Sequence, residues 1–221
     1  YNEAATIASS IRSFLELKYS EYEIIVVSDG SIDGTIDVLR REFKLKPFPE
    51  AYGHELPTQP VRATYHSEIY ANVRVIDKEN GGKADALNAG INASRYPLFC
   101  GVDADSVLER DSLKRVVEPF LEDPRTIASG GTVRIANGCS VDNGFLTSVG
   151  LPRNPLALLQ IVEYLRAFLF GRMGWSPLNA VLIISGAFGL FRKDVVVAAG
   201  GYRRDTVGED MELVVRLHRL H

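Results

Sequence analysis

Asp103 and Asp105 stand one residue apart at the end of the apolar run Tyr96 to Val102. An apolar run that short, bounded by turn residues, predicts a buried strand. In an open α/β sheet, ligands bind beyond the carboxyl ends of strands. Two carboxylates at i and i+2 on a chain leaving a strand can converge on a hard divalent cation. Mg²⁺ is typically held by one or two carboxylates plus substrate phosphates. The competing reading is a solvated turn with a helix cap, which Asp and Ser also favour.

Three further positions could carry chemistry. Asp29 closes the β-branched run Glu23 to Val27 and opens the turn Ser28-Asp29-Gly30-Ser31-Ile32-Asp33-Gly34-Thr35. Its carboxylate can accept from an N–H donor such as the imide of uracil, or hold the strand-to-helix corner as an Asx-turn. Lys83 follows Gly81 and Gly82 at a helix start, where backbone N–H groups and an ammonium favour a diphosphate. Its alternative is a surface lysine. Asp210 follows Gly208 and Glu209 at another helix start, where the helix dipole keeps a carboxylate ionised, as a general base requires. An ordinary N-terminal helix carboxylate has the same pattern. Asn80 and Asn88 could cap or turn, and Gln160 and Glu163 could be an exposed stripe.

These positions need a scaffold, and the pattern supplies one. Ile7, Ile11, Phe14 and Leu15 recur at helical spacing within Ala4 to Leu17. The strand Glu23 to Val27 gives way through a glycine turn to a helix with Ile36, Val38 and Leu39. Lys44 to Tyr70 holds Pro47, Pro49, Pro57 and Pro60 and no clear period, and is expected to be an irregular excursion. Val73 to Ile76 is a strand; Ala84 to Asn92 and Leu113 to Leu121 are helices. Thr126 to Ile135 reads as a strand, and Asp142-Asn143-Gly144 as a hairpin turn. Leu156 to Phe170 is a strongly apolar helix; Val181 to Ile184 and Leu190-Phe191 read as strands. A last helix runs from Met211 to the end. The alternation predicts an α/β domain with a mostly parallel central sheet, flanked by helices, and a small antiparallel addition.

Composition narrows the function classes. The 221 residues carry 25 basic and 28 acidic side chains, a net charge of −3. A nucleic-acid binder would usually show a basic excess. Two cysteines and four histidines make neither a disulfide framework nor a zinc pattern, and Cys100 and Cys139 read as reduced thiols. No apolar run reaches the roughly 18 residues of a membrane span. Leu156 to Trp175 is interrupted by Gln160, Glu163, Arg166 and Arg172. It is expected to lie across one side of the domain, at a membrane surface, with part of its apolar face uncovered.

In order along the chain stand Tyr1-Asn2-Glu3, the Ser28 to Thr35 turn, Asn80-Gly81-Gly82-Lys83-Ala84-x-Ala86-Leu87-Asn88, Val102-Asp103-Ala104-Asp105 and Gly208-Glu209-Asp210. Together they resemble the inverting family 2 glycosyltransferases of the GT-A fold, over essentially the whole chain. Gln160-x-x-Glu163-Tyr164 and Ser185-Gly186-Ala187 narrow the resemblance to processive membrane synthases of β-linked polysaccharides, such as poly-N-acetylglucosamine, cellulose, chitin or hyaluronan. The resemblance implies that Tyr1, Glu3, Asp29, Lys83 and Asp103 hold a UDP-sugar donor. It implies that Asp105 and Asp103 bind Mg²⁺ or Mn²⁺ with the diphosphate, and that Asp210 is the base. Gly186, Glu209 and Tyr164 would face a glycan acceptor.

The same resemblance implies one catalytic domain over residues 1–221, truncated at both ends, from a membrane-embedded protein with its catalytic domain on the cytoplasmic face of the cell membrane. The family's first apolar strand and the processive enzymes' Gln-x-x-Arg-Trp motif do not occur in this sequence. Two rivals stay open. Asp103-x-Asp105-Ser106-Val107 also resembles the phosphatase motif of the haloacid dehalogenase superfamily, and the same fold could serve as a non-catalytic UDP-binding regulatory domain. No Gly-x-Gly-x-x-Gly follows a strand, which argues against a dinucleotide-dependent oxidoreductase.

Overall fold

The computed structural model describes residues 1–49, 53–142, 145–166 and 184–220. It opens with α1 (Ile7–Leu15), β1 (Ile24–Asp29) and α2 (Thr35–Phe43). The β-branched run of β1 suits a pleated, half-buried surface. Ile7 and Ile11 share one face of α1, and Leu39 and Phe43 share one face of α2. Both pairs are buried with Ile24, Val73 and Val75 in a single core cluster.

Lys44 to Tyr70 is not irregular throughout. It holds β2 (Leu45–Pro47) and β3 (Val61–Ser67), which pair antiparallel. Val61, Ala63 and Tyr65 alternate with Arg62, Thr64 and His66, a period of two. The prolines obscured that pattern, yet they lie where strands tolerate them. Pro47 ends β2, an edge strand, and Pro57 and Pro60 precede β3. β3 then turns into β4 (Val73–Lys78), which runs parallel to β1 with Ile24 opposite Val73 and Asp29 opposite Lys78.

α3 (Lys83–Ala93) packs on β1. After it come β5 (Leu98–Val102), α4 (Ser112–Glu122), β6 (Ala128–Gly130), β7 (Ser140–Asp142), β8 (Phe145–Ser148) and α5 (Pro155–Leu165). β9 (Phe188–Arg192), α6 (Lys193–Ala198) and α7 (Glu209–Leu220) complete the described elements. The strand orders are β1-β4-β3-β2 and β5-β9-β6, with β7 and β8 as a separate antiparallel pair. The expected strand over Thr126 to Ile135 is confined to β6. Ile184 is buried outside any strand. The expected Asn143-Gly144 turn, and Val181 to Ile183 of the expected strand, lie outside the described residues.

The α/β class holds, but the sheet is mixed rather than mostly parallel. Among the described strands only β1 and β4 run parallel. β3 reaches β4 through a short turn, which forces antiparallel pairing, whereas a parallel neighbour needs a long crossover. β9 also pairs antiparallel with both β5 and β6. Phe99 of β5 stacks on Phe191 of β9 at 5.6 Å between ring centroids. Cys100 lies in the same layer; burial pushes its thiol up to about 12, so it is a core residue rather than a reactive one.

Candidate active site

The first residues dock on the Ser28–Thr35 turn. Asn2 takes a positive φ of 56°, which Asn tolerates better than most residues. Its backbone N–H donates to Ser31 Oγ at 3.1 Å, and its Oδ1 accepts from the Ile32 N–H at 2.9 Å. The Glu3 N–H donates to Thr35 Oγ1 and the Ala4 N–H to Asp33 Oδ2. Asp33 also accepts from the Thr35 hydroxyl and backbone N–H. These bonds, the Thr35 hydroxyl's first, hold its carboxyl below the ordinary range. Glu3 lies four residues before α1 and accepts from the Thr6 hydroxyl at 2.7 Å, and Tyr1 is exposed.

The next contact joins that turn to the glycine turn before α3. Asn80 Nδ2 donates to the Asp29 carbonyl at 2.8 Å. Asp29 Oδ1 accepts from Lys78 Nζ at 2.5 Å and from the Gly81 N–H at 3.0 Å, and Oδ2 accepts from the Gly82 N–H at 2.8 Å. The N-terminus of α3 therefore already faces an anion, and it is Asp29. This corrects the expectation that the Gly81 and Gly82 N–H groups are available to a diphosphate. Lys78 itself is wholly buried and makes a second ion pair, to Asp85 Oδ1 at 2.6 Å.

Lys83 draws the remaining motifs together. Its ammonium lies 2.6 Å from Asp103 Oδ1, past the end of β5, and 3.8 Å from Glu209 Oε1, at the start of α7. Burial lowers its pKa, but the hydrogen bond and charge of Asp103, with Glu209 and Asp210, outweigh that and hold it above the ordinary lysine value. The ammonium thus stays charged at neutral pH and loses its proton only above the usual lysine range. Asp210 Oδ2 accepts from the Gly186 N–H at 3.1 Å, and Oδ1 from its own neighbour, the Met211 N–H, at 2.8 Å. A Cβ placed on Gly186 would sit 3.3 Å from Lys83 Nζ and 3.5 Å from Asp210 Oδ2. The lysine and the aspartate therefore line one cleft, with Gly186 as its floor.

The donor chemistry of this cleft suits a hard divalent cation. Asp103, Glu209 and Asp210 bring three carboxylates against the one ammonium of Lys83, Asp105 follows two residues after Asp103, and oxygen donors suit Mg²⁺ or Mn²⁺. Asp105 is exposed and makes no ion pair among the described residues. No group of three or more His, Cys, Asp or Glu among the described residues makes a closed metal cage. A cation held by Asp103 and Asp105 would need further oxygens from a ligand, as Mg²⁺ commonly takes from phosphates.

Tyr164 stands apart in kind. It is half-buried on α5, and none of the contacts of Lys83, Asp103, Glu209 or Asp210 given above runs to that helix. α5 leaves Leu156, Leu159 and Val162 exposed at 72, 64 and 60%, with Leu158 and Leu165 partly so. Phe168 and Leu169 lie outside the described residues. No described helix is long and apolar enough to cross a membrane. Residues that sequence reasoning passed over do much of the positioning. Lys78 sits in a strand, with nothing local to mark it. Asp85 and Asn92 share one face of α3 with Asn88, which the sequence offered as a cap or turn residue, at i, i+7 and i+3.

A model of the family described as "Glycosyl transferase family 2" matches residues 1–54 and 57–196. The poly-beta-1,6-N-acetyl-D-glucosamine synthase of Staphylococcus aureus is 31% identical over 220 residues, 99% of this chain and 44% of that protein. The Staphylococcus epidermidis synthase is 30% identical over 218 residues, with the same coverage. The chain thus spans less than half the length of these curated relatives. Among solved structures, a mannosyltransferase from Pyrobaculum calidifontis in complex with GDP-Man and Mn²⁺ superposes with a TM-score of 0.65. It is 20% identical, over 98% of this chain and 49% of that one. S. aureus TarS 1-349 gives 0.56 at 14% identity, over 98% and 52%. These likenesses carry the GT-A fold, and neither the phosphatase nor the regulatory reading finds support. With the family model matching most of the chain and a relative 31% identical over 99% of it, the chain belongs to glycosyl transferase family 2.

Proposed function

We propose that the chain is the catalytic domain of an inverting, metal-dependent glycosyltransferase that moves a sugar from a UDP-sugar to a hydroxyl of a growing β-linked glycan. The observation that carries this reading is the meeting of Lys83, Asp103, Glu209, Asp210 and Gly186 in one cleft. An inverting transfer is one in-line displacement at the anomeric carbon. It needs a base on the acceptor side and charge neutralisation on the departing diphosphate. Asp210 supplies the base, with Glu209 beside it. Lys83 supplies a fixed positive charge for the diphosphate.

Asp103 and Asp105 would hold Mg²⁺ or Mn²⁺, which when bound supplies Lewis-acid stabilisation of the leaving group. Tyr1 and Glu3 border the nucleotide side. Asp29 shapes that side from behind. Its two oxygens accept from Lys78, from the Gly81 N–H shared between them at 3.0 and 3.2 Å, and from the Gly82 N–H, and we assign its remaining acceptor capacity to the uracil imide. Tyr164 is assigned to the acceptor side.

Two substitutions test this site. Asp105→Asn is expected to abolish metal-dependent UDP binding and transfer while the circular dichroism spectrum stays unchanged. Equal UDP affinity with and without divalent metal in the wild type would overturn the metal assignment. Gly186→Ala places a methyl group between the ammonium and the base. It is expected to lower transfer about tenfold, since small displacements of reacting groups are costly, with an unaltered thermal midpoint. Wild-type turnover would show that the cleft floor is not at the reaction centre.

The exposed leucines of α5 support a second element of the reading, in which the domain of a membrane-embedded protein rests on the cytoplasmic surface of the bilayer. An apolar helix face adds membrane affinity in proportion to the area it buries. Leu159→Glu is expected to weaken sedimentation of residues 1–221 with anionic lipid vesicles. Undiminished sedimentation would remove α5 from the interface.

A further inference from the structure

We propose that Arg204 is a positioning residue that ties the loop leading to Asp210 to the nucleotide turn, through Asp85 and Lys78. The proposal rests on the glycosyltransferase reading above for its consequence, but not for its geometry. α3 presents Asp85, Asn88 and Asn92 on one buried face, and each binds a loop rather than a neighbouring helix. Asn92 pairs both ways with the Leu56 backbone, at 2.9 and 2.8 Å. Asn88 pairs both ways with the Tyr202 backbone, at 2.9 and 2.8 Å. Asp85 accepts from the Gln59 N–H with both oxygens, and from Arg204 Nη1 at 2.9 Å.

The loop between α6 and α7 is thus held at two points by α3. Gly201 allows the first: it has a φ of +70°, and a Cβ there would lie 2.6 Å from Asn88 Oδ1. Arg216 adds a third hold from α7, donating to the Ala199 and Gly201 carbonyls. All of these except Arg204 fix the early part of the loop. Arg204 is the hold nearest Asp210, six residues before it in sequence.

Charge gives the Arg204 contact its significance. Asp29, Lys78 and Asp85 are buried and carry two negative charges and one positive. The guanidinium of Arg204 completes a neutral chain, Asp29–Lys78–Asp85–Arg204. One end of that chain shapes the Gly81-Gly82 turn next to Lys83, and the other holds the loop that delivers Asp210. The donor-side lysine and the acceptor-side base are therefore positioned by one ionic strut, buried from Asp29 to Asp85. Buried charges held in low dielectric resist displacement, because an unpaired partner is costly.

Arg204 is 44% exposed and touches Asp85 with one nitrogen, so the chain should fold without it and a lysine ammonium should replace it in part. The test compares wild type, Arg204→Met and Arg204→Lys in the whole natural polypeptide, by backbone amide exchange without ligand and by transfer kinetics. Arg204→Met is expected to lose exchange protection at the Tyr202, Met211 and Glu212 amides, which bracket the loop, while residues 83–93 keep theirs. Its kcat is expected to fall about tenfold, with the donor KM changed by less than about threefold, and Arg204→Lys is expected to recover most of the loss. Unchanged protection at those three amides in Arg204→Met overturns the tether. So does a kcat loss that merely follows a lower thermal midpoint and is not repaired by lysine. Absence of UDP-sugar turnover in the wild type would count against the proposed activity, while the exchange result still decides the tether.

Discussion

Asp210→Asn is expected to lower transfer by on the order of a hundredfold or more, the usual size of a lost general base. UDP and metal binding should persist. The expectation follows from where the carboxylate stands. It occupies the first turn of α7 with Glu209 and Glu212. Both of its oxygens are oriented, by the Gly186 and Met211 N–H groups, and it shares its cleft with Lys83. Asparagine keeps the shape and cannot take a proton. A loss in kcat with little change in donor KM would identify an interaction made only in the transition state. A variant that transfers at near wild-type rate would remove Asp210 from the chemistry.

Lys78→Met is expected to destabilise the domain by about 3–5 kcal/mol, because it strips the partner from buried carboxylates. Lys78 and Asp85 are 0% exposed and Asp29 5%, judged by their side chains. The methionine would leave two aspartates in the core with only Arg204 and backbone N–H groups to answer them. An equally short pair at the surface makes the contrast. Lys46 and Glu68 lie 2.5 Å apart at 62 and 41% exposure, and Lys46→Met should cost less than about 1 kcal/mol. Urea denaturation of both variants checks the difference. Equal losses would mean that the Asp29–Lys78–Asp85 chain contributes no more than a surface pair.

The candidate site was legible in the sequence wherever chemistry coincided with a local signal. Asp103 and Asp105 end an apolar strand, Asp210 begins a helix, and Lys83 follows a glycine turn. Each signal lies within a few residues of the group it marks. What escaped was set by distant partners. The Gly81 and Gly82 N–H groups point at an anion, as expected, but the anion comes from the opposite strand end at Asp29. Lys78 lies past the strand expected over Val73 to Ile76, and only the longer β4 sets it opposite Asp29. Asn88 could be seen as a cap, yet its partner, the Tyr202 backbone, lies 114 residues away in sequence. Strand direction escaped for a related reason. The helix–strand alternation implies crossovers, but the short turn between β3 and β4 and the return of β9 beside β5 make the sheet mixed.

The central claim is that this cleft activates a UDP-sugar for attack by an acceptor hydroxyl. The most direct test measures sugar transfer by the whole natural polypeptide from a panel of radiolabelled UDP-sugars, with Mg²⁺, with Mn²⁺ and with chelator, in the presence of ADP or UDP as competitor. The account predicts turnover of a UDP-sugar that requires the divalent ion, is inhibited by UDP far more than by ADP, and disappears in Asp210→Asn. Tight UDP binding with no turnover of any UDP-sugar, or hydrolysis of a phosphate ester at the same carboxylates, would contradict it.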